Sequence, residues 1–309
     1  MVTAIPPLSD SEKLEFGPAV TSVQQPTPNS IVIASYNIRY ARGPHLISGG
    51  LVRKAGLMSL KQRPSFIAKQ ISLAARAFSE GKLLPRPHVL LLQEADKRTA
   101  RAGGHHVAQE LANQLEMNWV HAPAGIPRGI KPVQRQWWLD FEEPIGLHDS
   151  GDTGVAFLSK LPFSDVTRID LPWHECPWRP RLAIAATVAL GSSKLRIFNA
   201  HVDPHAAVDG QLEQMEVIAE EAERTSDPSL ILGDFNTLSK KKSIETRAFL
   251  ESRGYSTSFP TGTPTWRGAG LRLHADWIFG RGIKITKWGV ARPLSVSDHW
   301  PIWVELSTV

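Results

Sequence analysis

Acidic, amide and imidazole side chains recur at the points where apolar runs of this chain end. The run 230–232 is followed by Asp234 and Asn236. A short apolar run that stops at a turn residue is typical of a buried strand. A carboxylate and a carboxamide at such a strand end can hold a hard cation or an attacking water in a fixed position. Taken alone, the same pair is equally typical of ordinary turn chemistry.

Further strand ends carry residues of the same kinds, and together they narrow the chemistry. The candidate residues are Asn37, Glu94, His201, Asp234, Asn236, Asp276, Asp298 and His299. Oxygen ligands without cysteine suit Mg²⁺ or Mn²⁺. Histidines beside such a cation suit proton transfer or contact with a phosphate oxygen. The set predicts metal-assisted hydrolysis of a phosphoester, in which a positioned water displaces the leaving oxygen.

The apolar patterns predict the elements that must position these residues. Strands are predicted at 31–37, 89–94, 153–158, 182–190, 195–199, 230–236, 276–279 and 300–306, and helices at 64–78, 105–117, 206–224 and 243–253. The irregular alternation of strands and helices favours mixed β-sheets covered by helices, in one domain at 30–309. Because the polar residues lie at strand ends, one rim of the sheets can gather them.

The composition is that of a globular protein. Of the 309 residues, 42% are hydrophobic and 21% are charged, and no apolar run approaches the roughly 20 residues of a membrane span. The single cysteine excludes an internal disulfide and a zinc–thiolate cluster. No secretory signal is recognisable, so a cytoplasmic location is expected. Residues 1–29 are rich in proline, serine and threonine and are expected to form a disordered or extended tail.

Two long irregular segments, 39–63 and 121–150, are expected to line a substrate cleft. Candidate substrate-binding residues within them are Arg39, Arg42, Arg135 and Trp137. Basic groups interleaved with aromatic groups can bind phosphates and stack on bases, and the net charge of +5 favours polyanionic partners. The same residues would also suit a lipid headgroup, or could simply pack against each other.

Six short segments, taken in order, resemble the endonuclease/exonuclease/phosphatase family, which has a deoxyribonuclease I-like fold. They are Ser35-Tyr36-Asn37, Gln93-Glu94, Asn199-Ala200-His201, Gly233-Asp234-Phe235-Asn236, Asp276-Trp277-Ile278 and Ser297-Asp298-His299. The resemblance covers about residues 31–306. It implies a four-layer α/β sandwich, with two mixed β-sheets packed face to face and helices on the outside.

The resemblance also implies a role for each matching residue. Glu94 would be the main metal ligand, Asn37 would bind the metal or the phosphate, and Asp298 would lie on the metal side, at a second metal position if there is one. The catalytic group would comprise His201, Asp234, Asn236, Asp276 and His299. Within it, Asp234 would orient or deprotonate the attacking water and Asn236 would hold that water or the phosphate. Asp276 would pair with His299, and His201 would contact the phosphate or assist the leaving group.

The expected activity is a Mg²⁺-dependent phosphoester hydrolase, a phosphodiesterase in preference to a phosphomonoesterase. One alternative is a nuclease that acts on DNA or RNA, and a second is an inactive phosphate-binding module of the same fold. Abasic-site enzymes of the family carry an acidic residue two positions after the first-strand asparagine, where this chain has Arg39, and that reading is therefore disfavoured. Many members have Arg-Ile before the Asp-Trp-Ile strand, whereas this chain has His274-Ala275.

Overall fold

The structure is a computed structural model that describes residues 14–17, 30–44, 62–128, 143, 145–172, 180–268 and 270–307. Its strands are β1 (Glu15–Phe16), β2 (Ser30–Asn37), β3 (Val89–Gln93), β4 (Asn118–Pro123), β5 (Gly154–Ser159), β6 (Phe163–Asp170), β7 (Leu182–Leu190), β8 (Ser193–His201), β9 (Ser229–Asp234), β10 (Trp266–Gly268), β11 (Leu271–Leu273), β12 (Asp276–Arg281), β13 (Lys284–Val290) and β14 (Ile302–Ser307). Its helices are α1 (Arg63–Glu80), α2 (Val107–Leu115), α3 (Val208–Glu223) and α4 (Lys240–Ser252). Among the described residues, no helix combines the length and apolar character needed to cross a membrane.

The strands form two large mixed sheets and a small ribbon. The first sheet has the order β1-β4-β5-β3-β2-β14-β13, and the second has the order β12-β9-β8-β7-β6. Within each sheet one central pair is parallel, β2 with β3 and β8 with β9. The ribbon consists of β10 and β11.

One apolar core fills the space between the two sheets. Ile33 and Phe157 of the first sheet are fully buried in the same cluster as Ile184 and Phe198 of the second. A second cluster lies on the other face of the first sheet, where α1 and α2 pack against it. Helices α3 and α4 contact each other, and α3 contacts β8. The predicted four-layer sandwich is therefore confirmed.

The side-chain amide of Asn199 makes several buried hydrogen bonds between the two sheets. Asn199 on β8 donates from Nδ2 to the carbonyl oxygens of Leu92 and Ala156, both at 2.9 Å. Its Oδ1 accepts from Gln93 Nε2 at 2.5 Å, and that nitrogen also donates to Ser35 Oγ at 3.0 Å. Buried polar groups are expensive unless they are paired, so these bonds favour one placement of the second sheet on the first.

Strand register brings the predicted site residues to a single rim. Asn37 is opposite Gln93 in the parallel pair β2–β3, and His201 is opposite Asp234 in the parallel pair β8–β9. Strand β12 runs antiparallel to β9 and begins with Asp276 opposite Asp234. The carboxyl ends of four strands and the amino end of β12 therefore lie at the same edge of the sandwich.

Several strands of the structure were not predicted from the sequence. Strands β6 and β13 are edge strands with mostly exposed or half-exposed side chains, and each contains a register shift. The expected alternation of apolar and polar residues is blurred in such strands. Strand β4 overlaps the start of the predicted irregular segment 121–150. Part of the predicted tail, Glu15–Phe16, pairs with β4, and residues 1–13 and 18–29 lie outside the described residues.

We predict that Asn199→Ala lowers the free energy of unfolding by about 2–3 kcal/mol. The substitution leaves the buried Gln93 amide without one of its acceptors and removes two bonds to carbonyl oxygens. Urea unfolding followed by circular dichroism measures the change. Asn113→Ala is the matched control, because Asn113 is exposed on α2 and its loss is expected to cost less than about 0.5 kcal/mol. Equal effects of the two substitutions would contradict the assigned role of Asn199.

Candidate active site

At two of the strand ends on the rim, a side-chain oxygen accepts a hydrogen bond from the backbone N–H two residues further along the chain. Asn37 Oδ1 accepts the backbone N–H of Arg39 at 3.0 Å, and Asp234 Oδ1 accepts that of Asn236 at 3.0 Å. The backbone then becomes left-handed, with φ of 45° at Arg39 and 51° at Asn236, and Glu94 after β3 also has φ of 51°. This conformation is unfavourable for residues other than glycine, and such strain clusters at functional sites.

The side-chain amide of Asn37 joins the two sheets at the rim. Its Nδ2 donates to Glu94 Oε1 at 3.1 Å and to Asp234 Oδ2 at 2.9 Å. One group thus holds a carboxylate from each sheet. Because Asn37 Oδ1 is directed at Arg39, the face that Asn37 presents to Glu94 is its NH₂ group. This is the geometry of a positioning residue, and direct metal ligation by Asn37 stays a prediction.

Asp276 and His299 form a buried pair, as the family resemblance implies. His299 Nδ1 donates to Asp276 Oδ2 at 2.9 Å, and His299 Nε2 lies 3.8 Å from Asp234 Oδ2. Burial acts to lower the pKa of His299, but the carboxylates of Asp276 and Asp234 outweigh it and raise that pKa to about 10. The imidazole is therefore protonated at neutral pH and suits the stabilisation of negative charge.

Asp234 is the most enclosed carboxylate of the group, with 1% of its surface exposed. Burial raises its pKa to about 7, although the positive charge of His299 and the hydrogen bonds from Asn37 and Asn236 act in the opposite direction. A carboxylate with a pKa near neutrality suits a general base, because it can both accept and release a proton at working pH.

Arg181, just before β7, is a site residue that sequence analysis missed. Its NH1 lies 3.0 Å from His201 Nε2, whereas its Nε and NH2 are buried without a hydrogen-bond partner among the described residues. A buried guanidinium with unpaired N–H groups is costly, and a bound anion such as a phosphate would satisfy it. The predicted hairpin could have revealed Arg181, because pairing of β7 with β8 places Leu182, the next residue, opposite His201.

His201 and Asn236 complete the group at the end of β8 and after β9. His201 Nε2 lies 3.8 Å from Asp234 Oδ2 and 3.9 Å from Glu94 Oε1. Asn236 Nδ2 donates to Val202 O at 2.9 Å. That bond fixes the amide plane and leaves Oδ1 as the atom able to accept from a water.

Three other predicted residues are engaged in ion pairs. Arg39, which is 7% exposed, has its NH1 3.1 Å from Asp298 Oδ2, and Trp266 Nε1 donates to the same oxygen at 3.1 Å. Arg42 forms an ion pair with Glu143. Metal ligation by Asp298 and substrate binding by Arg39 and Arg42 stay predictions, and each requires these pairs to open.

The remaining predicted residues, Arg135 and Trp137, lie outside the described residues. So does most of the predicted basic loop at 39–63.

The segment before β12 supports Asp276 in a way that the sequence did not reveal. Thr265 Oγ1 accepts the backbone N–H groups of Ala275 and Asp276 at 3.0 Å and 2.9 Å. His274 stacks on Trp277 with ring centroids 3.7 Å apart, and His274 Nδ1 accepts the N–H of Gly262 at 3.1 Å. The His274-Ala275 departure from the family pattern is thus accommodated by packing and a backbone bond.

The donor set at the rim fits a hard divalent cation. The Glu94 carboxylate accepts from the neutral Asn37 amide, and His201 Nε2 lies 3.9 Å from Glu94 Oε1. Potential ligand atoms of Asp234, Asp276 and His299 also lie within 4.8 Å of one another, but protonated His299 has no lone pair for a metal and Asp276 is its partner. Carboxylate oxygens predominate, as Mg²⁺ and Mn²⁺ prefer.

The chain belongs to the endonuclease/exonuclease/phosphatase family, whose family model matches residues 34–299. Members of this family hydrolyse phosphoesters. The comparison with curated protein sequences found no match.

Solved structures share the fold at low sequence identity. An endonuclease/exonuclease/phosphatase family protein from Leptotrichia buccalis C-1013-b is 14% identical, with a TM-score of 0.60, and the match covers 90% of this chain and 100% of that one. A humanized D. rerio TDP2 is 18% identical, with a TM-score of 0.57 and coverage of 91% and 100%. ANGEL2, a 2′,3′-cyclic phosphatase, is 13% identical, with a TM-score of 0.57 and coverage of 90% and 95%.

Because His274 is buried, we predict that the protein loses stability in acid as this side chain becomes protonated. Burial lowers the pKa of His274 to about 3, whereas the side chain takes up a proton near pH 6.5 when the chain is unfolded. The unfolded state therefore binds the extra proton between these values. The contribution of His274 to stability is complete above pH 6.5 and is lost as the pH falls towards 3.

We expect His274→Gln to remove this loss. Glutamine keeps an acceptor for Gly262, although the stacking on Trp277 is weakened. The difference in free energy of unfolding between the natural protein and the variant should shrink by about 1.4 kcal/mol per pH unit between pH 6 and pH 4. Urea unfolding at four pH values measures it, and a difference that is independent of pH would contradict the burial of a neutral imidazole.

Proposed function

We propose that this protein is a Mg²⁺-dependent phosphodiesterase that acts on small phosphodiesters. The observation that carries the proposal is the triad of contacts at Asp234. Asn37 fixes its carboxylate at 2.9 Å, and the imidazoles of His299 and His201 each lie 3.8 Å from the same oxygen. A general base, an imidazolium and a second imidazole are thus directed at one point on the rim.

The reaction is a direct displacement at phosphorus. Asp234 orients a water and takes its proton while the water oxygen bonds to phosphorus and the ester P–O bond breaks; the leaving oxygen takes a proton from His201 or from solvent. Protonated His299 donates from Nε2 to a phosphoryl oxygen, and Arg181 with His201 contacts the phosphate from the other side. A divalent cation held by Glu94, with Asn37 beside it, would neutralise charge on the phosphate oxygens. Asp276 keeps His299 protonated and correctly oriented.

A small substrate is favoured by the state of the basic residues near the rim. Arg42 and Arg63 both form ion pairs with Glu143, and Arg39 is paired with Asp298. Arg128 donates to three backbone carbonyl oxygens. These guanidinium groups, which the sequence offered for phosphate binding, are engaged within the protein. The buried Arg181 suits one phosphate, not a run of them.

The alternative of a nuclease rests on family membership. The similarity in fold to a 2′,3′-cyclic phosphatase solved with adenosine-2′,3′-vanadate suggests cyclic phosphodiesters as the first natural-type substrates to test, beside DNA and RNA. An inactive phosphate-binding module would keep the fold and would hydrolyse none of them.

We predict hydrolysis of bis(p-nitrophenyl) phosphate in the presence of Mg²⁺ or Mn²⁺ and its loss in EDTA. Asp234→Asn should lower kcat by at least ~10³, because it removes the base and the charge that orients the water. The release of p-nitrophenol measures both effects. The matched control is Asp209→Asn, the same change at an exposed residue of α3, which should leave kcat unchanged.

Three results would contradict this proposal. Turnover that persists in EDTA would remove the metal from the mechanism. An Asp234→Asn variant with natural turnover would remove the base, and faster hydrolysis of p-nitrophenyl phosphate than of the diester would reverse the preference for diesters.

The size of the substrate is tested by the salt dependence of binding. A polynucleotide bound across several phosphates gives a slope of log K against log salt of about −0.9 per phosphate on duplex and −0.7 on single strands. We expect a slope shallower than about −2 for DNA and RNA, since Arg39, Arg42, Arg63 and Arg128 are engaged within the protein, whereas Arg181 is offered to a phosphate. Fluorescence anisotropy with labelled oligonucleotides and the Asp234→Asn variant measures it. A slope steeper than about −4 would favour the nuclease.

A further inference from the structure

A second cluster of potential metal ligands shares no residue with the catalytic rim. Its members are Glu15 on β1, His121 on β4 and His106 at the start of α2. Glu15 and His121 are directly opposite each other in the antiparallel pair β1–β4. One potential ligand atom from each of the three residues lies within 4.8 Å of the other two.

His121 is held in the form that binds a metal. Its side chain is fully buried, and Nε2 donates to the carbonyl oxygen of Ala95 at 2.8 Å. Because a carbonyl oxygen only accepts, the proton is on Nε2 and the lone pair is on Nδ1. Nδ1 is buried and has no hydrogen-bond partner in the part of the chain that the structure describes, which is uncommon for a buried polar atom. Histidine ligands of metals commonly donate their other N–H to a carbonyl oxygen in this way.

The separation of the other two ligands also suits a tetrahedral ion. His106 Nε2 lies 3.3 Å from Glu15 Oε2. Two ligands that are each about 2.0–2.2 Å from a tetrahedral zinc ion are about 3.3–3.5 Å apart. His106 Nδ1 accepts the N–H of Gln109 at 3.3 Å, which is a long hydrogen bond. Metal binding at Nε2 would move the ring proton to Nδ1 at the cost of that bond.

One cation competes for the carboxylate. Lys97 Nζ lies 2.7 Å from Glu15 Oε2, but the side chains of Lys97 and Glu15 are 30% and 33% exposed. A flexible ammonium group at such a position can turn into water at little cost, since exposed ion pairs contribute about 0–1 kcal/mol. Lys97 therefore weakens metal binding without preventing it.

We propose that Glu15, His106 and His121 bind a zinc-type transition metal ion. Two imidazole nitrogens and one carboxylate oxygen are a donor set that zinc uses widely, with the fourth position left to water. The oxygen-rich rim at Glu94 prefers hard cations, so the two sites differ in metal preference. The bound ion would tie the two-residue edge strand β1 to β4 and, through His121 and Ala95, to the turn that carries Glu94.

The test is a calorimetric titration of the metal-free full chain with ZnCl₂ in the presence of saturating Mg²⁺, which occupies hard-cation sites. We expect one zinc ion per chain, and a Tm that rises with zinc concentration. Co²⁺ in place of zinc should give the visible absorption of a tetrahedral site. Glu15→Gln and His106→Asn should each weaken zinc binding by more than the roughly 10–100-fold that outer-shell changes cost.

The variants are chosen to preserve the fold. Glutamine retains the length of Glu15, and asparagine retains the N-terminal cap of α2 that His106 provides. His105→Gln is the matched control, because His105 is adjacent but contacts Glu110 and Pro64 instead of the cluster. Undetectable zinc binding would overturn the proposal. Equal affinity in Glu15→Gln, His105→Gln and the natural protein would overturn it as well, by placing the zinc elsewhere.

Discussion

The architecture depends on one buried amide between the sheets. Asn199 reaches from β8 to three atoms of the first sheet, and each of those bonds is made where water is absent. A sliding movement of one sheet over the other would leave several polar groups unpaired, which a purely apolar interface would not penalise. Because the register is fixed in the interior, Asn37 on one sheet and Asp234 on the other meet at the rim.

Burial at the rim gives two neighbouring side chains, Asp234 and His299, opposite roles. Asp234 and His299 lie within 3.8 Å of each other, and burial acts on both. It raises the pKa of the acid to about 7, whereas two carboxylates raise the pKa of the imidazole to about 10. A base and an imidazolium therefore coexist at neutral pH, a separation of roles that enzymes obtain from environment and not from residue type.

Sequence analysis succeeded for those parts of the molecule whose structure follows from the local pattern of residue types. Buried strands such as β9 are continuous apolar runs, and the polar residues that end them are visible in the chain. Arg181 was missed because its importance comes from pairing across a hairpin to His201. Arg39 and Arg42 looked like free basic groups, and only tertiary structure shows their acidic partners. Edge strands such as β6 and β13 carry too little apolar periodicity to be recognised.

Glu94 and Asn236 have a left-handed backbone conformation, which costs stability, but their side chains are needed at the active site. A glycine at either position would adopt this conformation without steric cost and relieve strain of about 1 kcal/mol, yet it would delete the carboxylate or the amide. A glycine substitution at either position is therefore expected to relieve strain and abolish turnover together. Any effort to raise the thermal tolerance of this protein should exclude these two positions from its search.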